Sequence, residues 1–165
     1  MLKSFEKDSR LKINNQTFFD EIDLDHYVAY NALARIIFVD CHFEELDLLG
    51  KVFGSCDFKN CTFNNVSFRK CQFSSSRFES CQIRNSDFTR AEFFDGSFKN
   101  CNFREVDFAA SDFWNFEFIE TKFENSRLDL ISAQDIKCWK SNELIEIKMS
   151  SNFKKILTNL ECVEE

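Results

Sequence analysis

From Phe38 to Leu128 every fifth residue is large and apolar, nineteen times in succession, and sixteen of the nineteen are Phe. The chain holds 22 Phe, so most of its aromatic content serves this one periodicity. An α-helix repeats near 3.6 residues and a plain strand near 2, so a period of five fits neither. It fits a short extended piece followed by a corner, each unit turning the chain through one side of a polygon. Such a sequence builds a solenoid with one inward anchor per unit. A second inward position lies two residues before each anchor and is mostly small, as at Cys41, Cys56, Cys61, Ser76, Ser86, Ala91, Gly96 and Ser111, with Lys51 and Phe116 as misfits. The other three positions of each unit are mostly polar or charged, as solvent requires.

Length and composition bound the rest. At 165 residues this is one domain. Proline is absent and Gly occurs three times, which excludes Gly/Pro-rich linkers and collagen-like structure. A formal net charge of −7 disfavours general nucleic-acid binding, which needs a basic surface. No apolar run is long enough to cross a membrane, and no secretory leader is evident at the N-terminus. Without such a leader, the eight Cys are expected as reduced thiols in the cytoplasm rather than as a disulfide framework.

The units Cys56-Asp57-Phe58-Lys59-Asn60, Cys61-Thr62-Phe63-Asn64-Asn65 and Cys101-Asn102-Phe103-Arg104-Glu105 resemble the motif of the pentapeptide repeat family, a small residue followed two later by Phe or Leu. The resemblance implies an all-β fold: a right-handed quadrilateral parallel β-helix with twenty residues per coil. It also implies a non-enzymatic, protein-binding role. Some members protect DNA gyrase from quinolones or peptide toxins by resembling B-DNA in width and charge, and form dimers through their C-terminal ends.

The flanks read differently. The division expected is residues 1–37 as lead-in and cap or first degenerate coil, 38–128 as the β-helix, and 129–165 as a degenerate last coil with a C-terminal helix. Residues 1–12 read as a frayed lead-in. Ile13 and Phe18 lie in the five-residue frame, which Asp23 breaks. For residues 25–37 two readings stand. Val28, Leu33 and Phe38 continue the frame, or Asp25 caps a short helix carrying Tyr27, Tyr30, Leu33 and Ile37 along one side. After Leu128, Ile131, Ala133, Ile136 and Cys138 could line a last coil, Trp139 could cover it, and Leu144–Met149 could be a strand. Phe153, Ile156, Leu157 and Leu160 fall on one face of a short α-helix, expected to cap the rod or to form a homodimer.

The search for chemistry yields no phosphate loop, no nucleophile–base pattern and no buried acid pair, so no catalytic residue, cofactor or metal is assigned. Cys41, Cys61, Cys81 and Cys101 are spaced by twenty and would stack as a ladder, read here as core packing. Partner-binding candidates are the outward acids Asp47, Asp87 and Asp107, Glu92 over Asp112, Asp95, and the outward aromatics Phe94 and Trp114. Either these form a partner surface, or the C-terminal segment folds back over Phe94 and Trp114 and the acids are a solvated face. Residues 38–128 carry 15 acids and 11 bases, a net of −4, which is a patchwork rather than a phosphate-like surface. The partner expected is a protein. DNA gyrase is the concrete version, and a scaffold or assembly regulator without topoisomerase contact is the alternative.

Overall fold

The structure, a computed structural model, describes residues 8–20, 24, 27–139, 142–145 and 148–149. The chain winds as a right-handed parallel β-helix with four sides, called here faces A, B, D and C in chain order from Ile36. Face A stacks Leu11–Asn14, Ile36–Val39, Asp57–Lys59, Arg77–Glu79, Ser97–Lys99, Glu117–Ile119 and Lys137–Trp139. Face B stacks Thr17–Phe18, His42–Glu44, Thr62–Asn64, Gln82–Arg84, Asn102–Arg104, Lys122–Glu124 and Glu143–Ile145. Face D is joined mainly by single bridges, Asp47 to Ser67 to Asp87 to Asp107 to Arg127. Face C stacks Val28–Ala29, Ala32–Ala34, Val52–Gly54, Gln72–Ser74, Glu92–Phe94, Asp112–Trp114 and Ser132–Gln134. In the repeat itself residues twenty apart are partners, as in Phe58 with Phe78 and Phe78 with Phe98, so each coil is four five-residue units.

The corners explain the period. The second residue after each anchor has positive φ, as at Asn60 (52°), Asn65 (55°), Asn85 (49°), Asn100 (52°), Asn115 (47°) and Asn125 (48°). Asn tolerates this left-handed conformation better than most residues, hence its recurrence there. Lys70, Arg90 and Glu105 adopt it too. Their backbone N–H groups donate to the next coil, Lys70 N to Thr89 O (3.1 Å), Arg90 N to Ala109 O (3.1 Å) and Glu105 N to Glu124 O (2.9 Å), which offsets the local cost. On face D a second bond closes the corners after Leu48, Phe68, Phe88 and Phe108 as β-turns with positive φ at the third residue, for example Cys71 N to Phe68 O at 3.0 Å.

Inside, the anchors form columns of stacked rings. Phe53, Phe73, Phe93 and Phe113 follow one another at 4.6–4.9 Å with planes within 7°. The face A column is parallel through Phe38, Phe58 and Phe78, then breaks: Phe98 lies at 72° to Phe78 and 71° to Phe118. The cause is Phe116, an extra inward ring 4.8 Å from Phe98 and fully buried. It fits because Gly96 lies one coil below. A Cβ on Gly96 would sit 2.9 Å from the Phe116 ring and 2.2 Å from the Ser76 carbonyl oxygen. The large misfit in the small column is thus accommodated by the smallest residue beside it.

The small column also does hydrogen bonding. Ser76 Oγ donates to Phe53 O (2.9 Å) and accepts from Cys56 N (3.0 Å). Ser86 and Ser126 accept from Val66 N and Val106 N, both at 3.2 Å. The Cys61, Cys81 and Cys101 thiols point to Phe38 O, Phe58 O and Phe78 O at 3.3–3.6 Å. The seven described cysteines are free and buried. Burial, which disfavours the thiolate, pushes Cys56 up to about 11 and Cys71 up to about 12.

The N-terminal flank departs from expectation in two ways. Residues 8–12 are not frayed: Leu11–Asn14 pairs with Ile36–Val39, and Arg10 is tied down by Asp57 (2.8 Å) and Asp8 (2.7 Å). Residues 28–34 are not helical, and they keep the frame at Leu33, where Ala32–Ala34 lies parallel to Val52–Gly54 with Leu33 beside Phe53, but they add a hairpin to it. Val28–Ala29 pairs antiparallel with Ala32–Ala34, reversing through Tyr30 and Asn31, both at positive φ (51° and 64°). Two consecutive positive-φ residues make the tight turn that matches strand twist, and this overrides the helix propensity of the alanines. Leu33 and Phe38 are in frame and buried, whereas Val28 belongs to the returning strand. Asp23, Asp25 and His26 lie outside the described residues.

At the C-terminal end, Cys138 is buried, and Ile131, Ala133 and Ile136 pack against the core. The Leu144–Met149 stretch contributes two short pieces, Glu143–Ile145 on face B and Lys148–Met149 beside Arg127–Leu128, rather than one strand. The helix expected from Phe153, Ile156, Leu157 and Leu160 lies outside the described residues.

Candidate functional site

Because the register is fixed, each outward side chain belongs to a stripe, and the faces differ in charge. Face A alternates signs and pairs them, as in Lys99 with Glu79 (3.0 Å) and Lys137 with Glu117 (3.9 Å). Face B mixes His42, Glu44, Arg84, Arg104, Lys122 and Glu124, with Arg104 3.9 Å from Glu124.

Face D holds Asp47, Asp87 and Asp107 in one row, as the ruler of twenty requires. Their carboxylates work locally. Each accepts the backbone N–H two residues on, Leu49 N at 3.2 Å, Thr89 N at 2.8 Å and Ala109 N at 2.8 Å, which stabilises the turn that follows. Asp87 also takes the Thr89 hydroxyl. Arg69 lies 3.7 Å from Asp87 and Arg127 3.4 Å from Asp107, so cations screen the adjacent acids of this row.

Face C is different. Its outward positions from Ala32 to Gln134 are Ala32, Ala34, Val52, Gly54, Gln72, Ser74, Glu92, Phe94, Asp112, Trp114, Ser132 and Gln134, with no Lys or Arg among them. Glu92 sits over Asp112 and Phe94 over Trp114 in register. The two aromatic rings meet edge to face at 6.4 Å, and Trp114 is 52% exposed. Along the adjoining corner stand Asp95, Asn115 and Asp135, and Asn115 Nδ2 donates to Asp95 Oδ1 at 2.7 Å. Phe94, Asp95, Trp114, Asn115 and Asp135 together line an open groove of about 450 Å³. The structure therefore gathers Glu92, Asp112, Asp95, Phe94 and Trp114 into one patch, adds Asp135, and separates them from the Asp47/Asp87/Asp107 row on the neighbouring face.

Asp57 was not legible as a site. It occupies an outward position yet is 5% exposed, held by Arg10 at 2.8 Å with Arg77 at 3.9 Å. Nothing in the repeat marks it, because its partner comes from outside the repeat, 47 residues earlier. Among the described residues no group of three or more His, Cys, Asp and Glu is arranged to hold a metal ion. Among them, too, no helix is long and apolar enough to cross a membrane.

Residues 51–129 match the family model described as a pentapeptide repeat region. None of the curated proteins compared with the chain matches it. Among solved structures, a trypsin-treated variant of QnrB1, described as a plasmid-mediated fluoroquinolone resistance protein, is 16% identical, with 90% of this chain and 94% of that chain covered and a TM-score of 0.38. Rfr23, a pentapeptide repeat protein from the cyanobacterium Cyanothece 51142, is 10% identical over 86% of each chain, with a TM-score of 0.32. HetL of Nostoc sp. strain PCC 7120, a pentapeptide repeat protein involved in heterocyst differentiation regulation, is 7% identical over 83% of this chain and 84% of that one, with a TM-score of 0.16.

Proposed function

This chain belongs to the pentapeptide repeat family, and on that premise we propose that it is a non-enzymatic, cytoplasmic binding protein that presents face C to a protein partner. The observation carrying this reading is that, among the described residues, one side of a regular rod has no Lys or Arg at its outward strand positions and carries acids and aromatics toward its C-terminal end. The other three faces mix charges of both signs. A surface of one sign attracts partners of the opposite sign and disfavours others. The concrete version is a protein that grips DNA, DNA gyrase or another topoisomerase, for which Glu92, Asp112, Asp95 and the Asp47/Asp87/Asp107 row stand in for phosphates. The test is gyrase supercoiling and cleavage with and without a quinolone. Micromolar protein is expected to alter supercoiling or to lower drug-stabilised cleavage, and no change in either refutes the topoisomerase version.

A scaffold or assembly regulator is the second reading. It is favoured by the pairing of Arg69 and Arg127 with Asp87 and Asp107, which makes the second acidic row a poor phosphate mimic. Recovery of a non-topoisomerase partner that is lost on replacing Phe94 and Trp114 would support it. Homodimerisation through Phe153, Ile156, Leu157 and Leu160 belongs to the same proposal. Light scattering is expected to give twice the chain mass, and a value near 19.5 kDa at high concentration refutes it.

A further inference from the structure

We infer that the groove beside Phe94 and Trp114, walled by Asp95, Asn115 and Asp135, is a receptor for a single Lys or Arg side chain projecting from a basic segment of a protein partner. The inference rests on face C being the partner surface, and it names what that surface grips. Three features converge on a cation. The edge-to-face packing of Phe94 and Trp114 leaves Trp114 half exposed, and an indole face is the best side-chain platform for a cation. Carboxylates border the aromatic pair on both sides along the strand direction: Glu92 and Asp112 lie two residues before the rings, Asp95 and Asp135 at the corner just after. Asn115, between Asp95 and Asp135, donates to Asp95 and so fixes one carboxylate at the groove wall.

Among the described residues, the cations nearest this patch do not fill the groove. Arg90 stands at the opposite corner of the Glu92–Phe94 strand, and the corresponding corner positions of the next two coils are Ala110 and Leu130. Lys137 is engaged by Glu117 on face A. A small anion or a phosphate would meet like charge on both sides. A purely apolar ligand would bring Asp95 and Asp135 out of water without compensation. A guanidinium or ammonium group stacks on the indole while its N–H groups meet the acids, and its methylene stem lies along Phe94. The volume of about 450 Å³ admits one such side chain.

The test uses the full chain and the pentapeptide acetyl-Gly-Gly-Arg-Gly-Gly-amide, with citrulline replacing Arg as the neutral control. The reporter is the Trp114 indole N–H resonance, assigned as the one lost in Trp114→Phe. Saturable shifts with the Arg peptide, weakened in high salt and absent with citrulline, are expected. Asp95→Asn and Asp135→Asn should each weaken binding about two- to five-fold, the range of an exposed ion pair. Trp114→Ala, followed at the Asn115 amide, should weaken it by a similar factor. Equal shifts from the citrulline peptide overturn the inference. So does no shift at any concentration, including the case in which residues beyond 139 already cover the groove. Peptide binding with an unaltered gyrase reaction leaves the receptor standing and removes only the topoisomerase; the reverse result removes the receptor alone.

Discussion

Replacing Gly96 with Ala adds one methyl group to a position where two coils touch. The Cβ would lie 2.2 Å from the Ser76 carbonyl oxygen, 3.3 Å from its carbon and 2.9 Å from the Phe116 ring. Ordinary contact with a carbonyl oxygen needs roughly 1 Å more, and backbone cannot rotate away as a side-chain tip can. The coils must part locally. The Ser97 N to Ser76 O bond is already long at 3.4 Å and would break, and the Glu117 N to Gly96 O bond at 3.1 Å would stretch. Overpacking of this kind costs about 1–3 kcal/mol. A lost buried hydrogen bond adds about 1 kcal/mol, for a total of about 2–4 kcal/mol. Gly54 is the internal control, because a Cβ there meets only the Ala34 Cβ at 3.8 Å. Gly54→Ala should be neutral or stabilising by up to about 1 kcal/mol, through the reduced entropy of the unfolded chain. Urea unfolding of the two variants, followed by circular dichroism, reads the difference as a displacement of the midpoint. The reasoning fails if Gly96→Ala unfolds within 0.5 kcal/mol (roughly the spread of surface substitutions) of the parent. It also fails if removing the Phe116 ring restores the stability of Gly96→Ala, since the closest clash is with backbone.

Three further outcomes are expected. Ser76→Ala removes the acceptor of Cys56 N and the donor to Phe53 O, both buried, and should cost about 1–3 kcal/mol by the same urea assay; an unchanged midpoint would show that these groups are satisfied otherwise. The seven described thiols should resist alkylation in the native protein at pH 8, since all are buried out of reach of the reagent and burial also raises Cys56 to about 11 and Cys71 to about 12; intact-mass analysis showing their rapid labelling without denaturant would contradict the buried ladder. Hydrogen bonds from the Arg10 side chain hold the Asp8 carboxyl at about 2, below its ordinary 3.8. Because the folded value is the lower one, the Asp8–Arg10 link is fully present above pH 4 and is released only as pH falls through about 2; an NMR titration of Asp8 with a midpoint near 4 would refute the link.

The five-residue period was legible because it is a constraint on side-chain direction. A residue that recurs once per corner points inward whatever lies around it, so Phe53, Phe73, Phe93 and Phe113 declare their column without coordinates. The family motif supplied the four sides, and twenty residues per coil then placed Glu92 over Asp112 and Phe94 over Trp114. The corner position left a trace too, in the Asn at 60, 65, 85, 100, 115 and 125, whose left-handed φ the structure supplies. The sequence did not disclose contacts between segments that share no period. Arg10 reaches Asp57 only because Leu11–Asn14 lies under the first coil, which turns an apparent loose end into an ion pair with a buried carboxylate. Nor could propensity place residues 28–34, where two positive-φ residues made a hairpin from a stretch whose alanines favour a helix. Above all, a carboxylate's partners are set in space. Asp87 and Asp107 read from the sequence as repelling neighbours, and in the rod they close turns beside Arg69 and Arg127. Glu92, Asp95 and Asp112 carry the same charge but have aromatic rings beside them instead of arginines. Periodicity fixes which way a side chain faces, and the packing of coils and flanks decides whether its charge is spent at home or left for a partner.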